Sequence, residues 1–217
     1  MLQKIDEHTG GCKLGALPSG LQCCASLEEL FIVNWGELIH INDLQELSSL
    51  QRLSINGCHK LISIDWLSLL QLHSLDQLAI SRCPSLSDFL EDGVGSLTQL
   101  RELDIGEELE AFPAGLVNSF QHLNLSGSLE SLWIYGGDKL KSVPHQLPNL
   151  TALKSLTIHN FSGEEFEKAL PDWLTNLSSL RCLYSIGCEN LKHFPSSTTI
   201  QRLSKLETLW IHGCPFL

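Results

Sequence analysis

Apolar residues recur along the chain in a fixed order, followed without exception at Leu50, Leu53, Ile55, Cys58 and Leu61 and again at Leu75, Leu78, Ile80, Cys83 and Leu86. Within one copy, Leu53 and Ile55 are two residues apart, the spacing that sends both side chains to one face of a strand, while Arg52, Ser54 and Asn56 take the other. Aligned on its first leucine, the pattern starts at Leu27, Leu50, Leu75, Leu100, Leu129, Leu153, Leu180 and Leu206, at intervals of 23 to 29 residues. One such strand cannot hide its apolar face alone. Successive copies must therefore stack their strands side by side and return along the opposite side of a shared core.

A period of this length with this pattern is that of a leucine-rich repeat. The predicted fold is an α/β solenoid, a horseshoe with a parallel concave sheet of about eight strands. Its convex side should carry turns, 3-10 pieces and short helices, because Pro113, Pro144, Pro171 and Pro195 punctuate the returning segments. Residues 163–170, acidic early and rich in helix formers, predict one to two turns of α-helix ending near Pro171. The fourth copy is the least regular: Leu109 comes two positions early, and 106–128 reads as a distorted repeat and a kink. In the seventh copy Ser185 stands where isoleucine is expected, with Ile186 beside it.

One domain is expected, with a partial repeat or irregular start at 1–26 and eight copies over 27–217. Both ends read as truncated, since Leu206 to Leu217 completes the motif and stops without a polar segment to cover the last apolar layer.

Charge and cysteine narrow the function. A formal charge of −11 with 14 Lys and Arg among 217 residues argues against a nucleic-acid groove, which needs clustered cations. No apolar run reaches the length of a leader's core or of a membrane span, so a cytoplasmic or nuclear protein is expected, with no membrane partner. Four sequons, at Asn124, Asn149, Asn160 and Asn176, point the other way, to an extracellular chain; those at Asn149 and Asn176 fall where repeat grammar produces them without a glycan. Four of the eight cysteines, Cys58, Cys83, Cys188 and Cys214, stand eight residues after a first leucine. Shared register favours small buried residues at the strand exit over disulfides or a metal, and no C-x-x-C pair is present.

The residues left for function are those on the solvent side of the strands. Four positions after each first leucine runs the column Phe31, Ser54, Ala79, Asp104, Trp133, Thr157, Tyr184, Trp210, with Tyr135, His159 and His212 two residues further along their strands. Trp and Tyr are over-represented among residues that carry binding energy, so Phe31, Trp133, Tyr135, His159, Tyr184, Trp210 and His212 are the candidate partner-binding set. The rings alternatively cover the sheet or pack on a neighbouring domain. No G-x-S-x-G, H-E-x-x-H or phosphate-loop motif occurs and the nine histidines lack ligand spacing, so neither catalysis nor a cofactor or metal is expected.

Cysteine rather than asparagine at the strand exit, with phrases such as 140–153, 163–180 and 196–206, resembles the C-terminal leucine-rich region of plant coiled-coil nucleotide-binding leucine-rich-repeat (NBS-LRR) disease-resistance proteins, from about residue 14 onward. The resemblance implies a non-catalytic recognition module that senses a pathogen effector or modified host protein and contacts a nucleotide-binding module, in cis or in trans. A stand-alone adaptor, for example one presenting substrates to a ubiquitin ligase, is the alternative; an extracellular receptor ectodomain would carry a leader and cysteine-paired caps.

Overall fold

The computed structural model describes residues 5–6, 15–87, 97, 99–106, 127–137, 143, 146–161 and 171–217. Each Leu-x-Ile motif forms a strand of five residues: β2 (Glu29–Val33), β4 (Arg52–Asn56), β6 (Gln77–Ser81), β7 (Glu102–Gly106), β8 (Ser131–Tyr135), β9 (Ser155–His159), β10 (Cys182–Ile186) and β11 (Thr208–His212). These eight are the expected ones. A ninth, β1 (Ile5–Asp6), precedes them in the same parallel sheet, pairing Ile5 with Ile32. It escaped the sequence reading because it has one apolar residue in place of the Leu-x-Ile pair. A second sheet, also unpredicted, joins β3 (His40–Ile41) to β5 (Ser63–Ile64) in the returning segments of the first two copies.

Stacking is in strict register. Leu53 lies opposite Leu30 and Leu78, and Ile55 opposite Ile32 and Ile80; both are essentially without solvent contact, as are their equivalents as far as the seventh copy. Burying a leucine or isoleucine this completely stabilises by about 1.5–3 kcal/mol. In the last copy the same face is open, with Leu209 39% exposed. Ser185 does not shift the seventh strand: it sits between Ile158 and Ile211, fully buried, while Ile186 falls in the outward row between His159 and His212. The Ser185 hydroxyl donates to Cys188 Sγ at 3.3 Å, so the core accepts a polar residue whose hydrogen bond is made locally.

Two backbone devices hold each copy to the next. At strand entry one carbonyl accepts two N–H groups: those of Gln51 and Arg52 donate to Glu28, those of Asp76 and Gln77 to Gln51, and so on to Glu207 and Thr208 on Arg181. At strand exit the chain leaves through the left-handed region, at Asn34, Gly57, Arg82, Asn160, Gly187 and Gly213, with φ between 51° and 69°. Asn and Gly are the residues that tolerate this conformation, whereas Arg82 is uncommon there. The exit N–H still donates to the neighbouring copy, as from Asn34 to Asn56 O at 2.8 Å and from Asn160 to Ile186 O at 2.7 Å.

The next position turns inward. Cys58, Cys83 and Cys188 are fully buried there, and Cys214 half-buried in the last copy. Cys58 and Cys188 point their thiols at two carbonyls each, 3.8–3.9 Å away, one in their own copy and one in the copy before. Trp35 and Phe161, also buried, hold the same place in the first and sixth copies. Burial pushes the Cys188 thiol up, whereas a hydrogen bond from Cys83 brings Cys58 down. No disulfide joins the described cysteines.

Among the described residues, the returning segments carry 3-10 turns at Leu21–Cys23, Leu147–Asn149 and Asp172–Asn176 and short helices. Helix α1 (Trp66–Leu69) is capped by Asp65, which accepts from the Ser68 N–H; α2 (Ser197–Arg202) is capped by Ser196, accepting from Thr199 at 3.0 Å. Residues 107–126, most of the expected irregular stretch, and 163–170, the expected helix, lie outside the described residues.

Along the strand-entry rim, opposite charges of adjacent copies pair at three joints, while Lys154 and Arg181 set two cations side by side. Asp76 pairs with Arg101 at 3.6 Å, Glu130 with Lys154 at 2.8 Å, and Arg181 with Glu207 at 3.3 Å. All are exposed, so each stabilises little.

Two outcomes follow from this geometry. A Cβ on Gly106 would stand 2.3 Å from the Tyr135 carbonyl oxygen at a φ of +137°, with backbone on both sides of the collision, whereas one on Gly36 would meet nothing within 4 Å. Gly106→Ala is expected to lower unfolding free energy by on the order of 3 kcal/mol in urea denaturation, and Gly36→Ala to change it by less than ~0.5 kcal/mol. The hydrogen bond from Lys154 holds the Glu130 carboxyl below its usual range, with Arg101 adding attraction. A depressed folded value means that the contribution is present above the unfolded value and is lost as pH falls through the folded one. Lys154→Met should raise the Glu130 titration midpoint in an NMR pH series, with little change in stability.

Candidate functional site

The register that commits leucine and isoleucine to the core turns three rows of side chains to the concave surface, two of which hold the predicted residues. In the first, Phe31, Ser54, Ala79, Asp104, Trp133, Thr157, Tyr184 and Trp210 lie opposite one another on successive strands, as the spacing predicts. In the second, Val33, Asn56, Ser81, Gly106, Tyr135, His159, Ile186 and His212 do the same.

The predicted aromatic residues do not form one patch. Tyr135 and His159 meet with ring centroids 5.3 Å apart, tilted by 41°, and Trp210 and His212 sit 6.5 Å apart at 48°. Between Trp133 and Tyr184 the column passes through Thr157, which is only 8% exposed, so the wall of rings is broken there. Trp210, at 55% exposure, faces solvent three strand spacings or roughly 14 Å from Trp133. The Tyr184 hydroxyl donates a hydrogen bond to Cys182 in the adjoining row, which raises the phenol above the ordinary tyrosine range.

Sequence reasoning put the emphasis on copies five to eight and missed what the smaller residues do. Ser54 and Ala79 leave a gap between Phe31 and Trp133, and the gap is a depression of about 260 Å³ with Arg52, Glu102 and Asp104 among its lining. A signal was present, since three short side chains stand between two large rings in a single column. Beside it, along the strand exits, a second cavity of about 340 Å³ is lined by Asn56, Arg82, Asp104, Tyr135 and His159 among others. Gly136 is part of its lining. A Cβ on Gly136 would meet the Asn160 carbonyl and Phe161 Cα, both at 2.6 Å. His159 Nδ1 is buried behind Tyr135 and has no hydrogen-bond partner among the described residues.

No group of three or more His, Cys, Asp and Glu suited to a metal ion occurs among the described residues. Nor does any helix there have the length and apolarity to cross a membrane. What the face offers is shape, rings and charge, the means by which repeat solenoids bind other macromolecules.

Comparison with known proteins places this architecture. The family described as R13L1/DRL21 leucine-rich repeats matches residues 118–214. Among curated Arabidopsis thaliana proteins, Disease resistance RPP13-like protein 4 is 33% identical over 180 residues, which is 78% of this chain and 20% of that protein. Disease resistance protein RPP5 is 28% identical over 192 residues, 83% of this chain and 13% of that protein. The chain thus spans a fifth or less of these relatives. Among solved structures, the leucine-rich-repeat domain of the type III effector XopL superposes with a TM-score of 0.68 at 24% identity, over 94% of this chain and 67% of that one. The TLR13–ssRNA13 complex gives 0.66 at 20%, over 89% and 26%. At such identities the solved structures speak to the fold, and the plant proteins to the lineage: this chain is a leucine-rich-repeat region of the kind found in plant disease-resistance proteins.

Proposed function

We propose that the chain is the protein-recognition module of a plant intracellular immune receptor, sensing a pathogen effector or a modified host protein through its concave face. The observation that carries this reading is the outward face of the sheet, on which Phe31, Trp133, Tyr135, Tyr184 and Trp210 stand while the strand leucines from Leu30 to Leu183 are withdrawn into the core. Large rings held by a fixed backbone lose little freedom on binding, which is the physical basis of their role as anchors. The likeness to disease-resistance proteins supplies the biological context, and contact with a nucleotide-binding module, in cis or in trans, comes with it. A cytoplasmic or nuclear site of action is part of the same proposal.

The test is binding to defined pathogen effectors and to the nucleotide-binding module of a related receptor, each co-expressed with the chain and its variants in leaf tissue. Trp133→Ala and Trp210→Ala should each weaken a bound partner by about 2 kcal/mol, roughly thirtyfold in Kd, with unfolding midpoints unchanged. Retention of the partner by the double variant would remove the concave face from the reading.

A further inference from the structure

We propose that two copies of this chain join edge to edge through β11, the two strands running antiparallel about a two-fold axis at Trp210. The proposal goes beyond the recognition reading and does not depend on it.

The outer edge of β11, the outermost strand of the main sheet, is open to pairing. In the ladder to β10 the Thr208 N–H donates to the Arg181 carbonyl, and the Gly187 N–H donates to that of His212. Hydrogen-bonding direction alternates along a strand, so Thr208, Trp210 and His212 turn their backbone groups to β10, while Leu209 and Ile211 turn theirs outward. Edges that stay unpaired are ordinarily blunted by lysine, proline or a bulge, and Thr208–His212 holds neither lysine nor proline. Apolar surface is concentrated at the same place. Of the eight large hydrophobic side chains exposed among the described residues, four belong to the last copy: Leu209, Trp210, Phe216 and Leu217. Only another strand supplies both hydrogen bonds and apolar cover.

The strand is its own complement. An antiparallel pair centred on Trp210 sets Leu209 opposite Ile211 of the second copy, and Ile211 opposite Leu209 of the second copy. These are the residues whose N–H and C=O face outward, so each facing pair exchanges both of its hydrogen bonds. The axis lies along the sheet normal. Leu209 and Ile211 of both copies therefore stay on the core side, and each copy closes the open apolar layer of the other. On the concave side Trp210 meets Trp210 of the second copy and Thr208 meets His212, so no like charges face one another; Glu207, just outside, is held by Arg181 at 3.3 Å. The two concave faces become one surface. Stacking β11 head to tail on the free edge of β1 would instead grow a filament, and β1 offers only Ile5 and Asp6 to the five residues of β11.

The experiment is sedimentation equilibrium of the whole chain over a range of concentrations. The weight-average mass should rise to twice that of one copy and stop there, with a dissociation constant in the micromolar range. Leu209→Pro removes an N–H that points away from β10, and Leu209→Lys sets a charge on the apolar side of the joint. Each should weaken association about a hundredfold while keeping the circular dichroism spectrum of the parent. Leu209→Lys serves should Leu209→Pro unsettle β11. Register is read separately. Trp210→Cys brings two thiols to a non-hydrogen-bonded pair with Cα atoms about 4.5 Å apart, within disulfide reach. Oxidised glutathione should then give a covalent dimer whose linked peptides, identified by mass spectrometry, both contain position 210. A chain monomeric at every soluble concentration, a mass that climbs past two copies, parent-like association by both Leu209 variants, or an intermolecular disulfide that omits position 210 overturns the proposal.

Discussion

Everything in this molecule depends on one spacing: each copy must return its chain to within a single strand's width of where it began. Only then can Leu53 meet Leu30 and Leu78, and only then does a repeat too small to fold alone share a core with its neighbours. The doubled hydrogen bonds at strand entry and the left-handed step at strand exit enforce that spacing from both ends. Between them the strand is left straight and pleated, and the division into buried and exposed rows follows without further specification.

Whatever obeys that rule was readable from the amino acids. The leucine–isoleucine alternation located eight strands, and the shared position of Cys58, Cys83 and Cys188 foretold their burial, because both are consequences of a period repeated many times. Single occurrences were harder. Trp35 and Phe161 fill the cysteine position with far larger side chains that are buried just as completely. β1 lacked the alternation altogether, and the β3–β5 pair lies in returning segments whose composition carries no strict period. Ser185 shows the limit from another side: a polar residue entered the core without a change of register, because Ile158 and Ile211 on either side left the strand nowhere else to go.

The concave surface is legible in a different sense. Its rows were assigned correctly by counting, but the shape they make depends on the sizes of neighbours drawn from separate copies. Phe31, Ser54, Ala79, Asp104 and Trp133 come from five repeats and become one depression only when their strands are laid side by side. A chain read along its length sees them about 25 residues apart. Functional specificity in a solenoid is thus written across the copies, while stability is written within them.

The exit turn carries a further implication for how such a chain can change. Asn34 places its amide oxygen 2.2 Å from where a Cβ on Gly57 would be, and Asn160 stands at 2.1 Å in the same relation to Gly187. In both pairs the asparagine of one copy occupies the space that the glycine of the next copy vacates. Copies are consequently not interchangeable modules: one that ends in asparagine demands a successor that ends in glycine. Exchange or duplication of repeats by recombination would be filtered at this joint, whatever the concave residues gained from it.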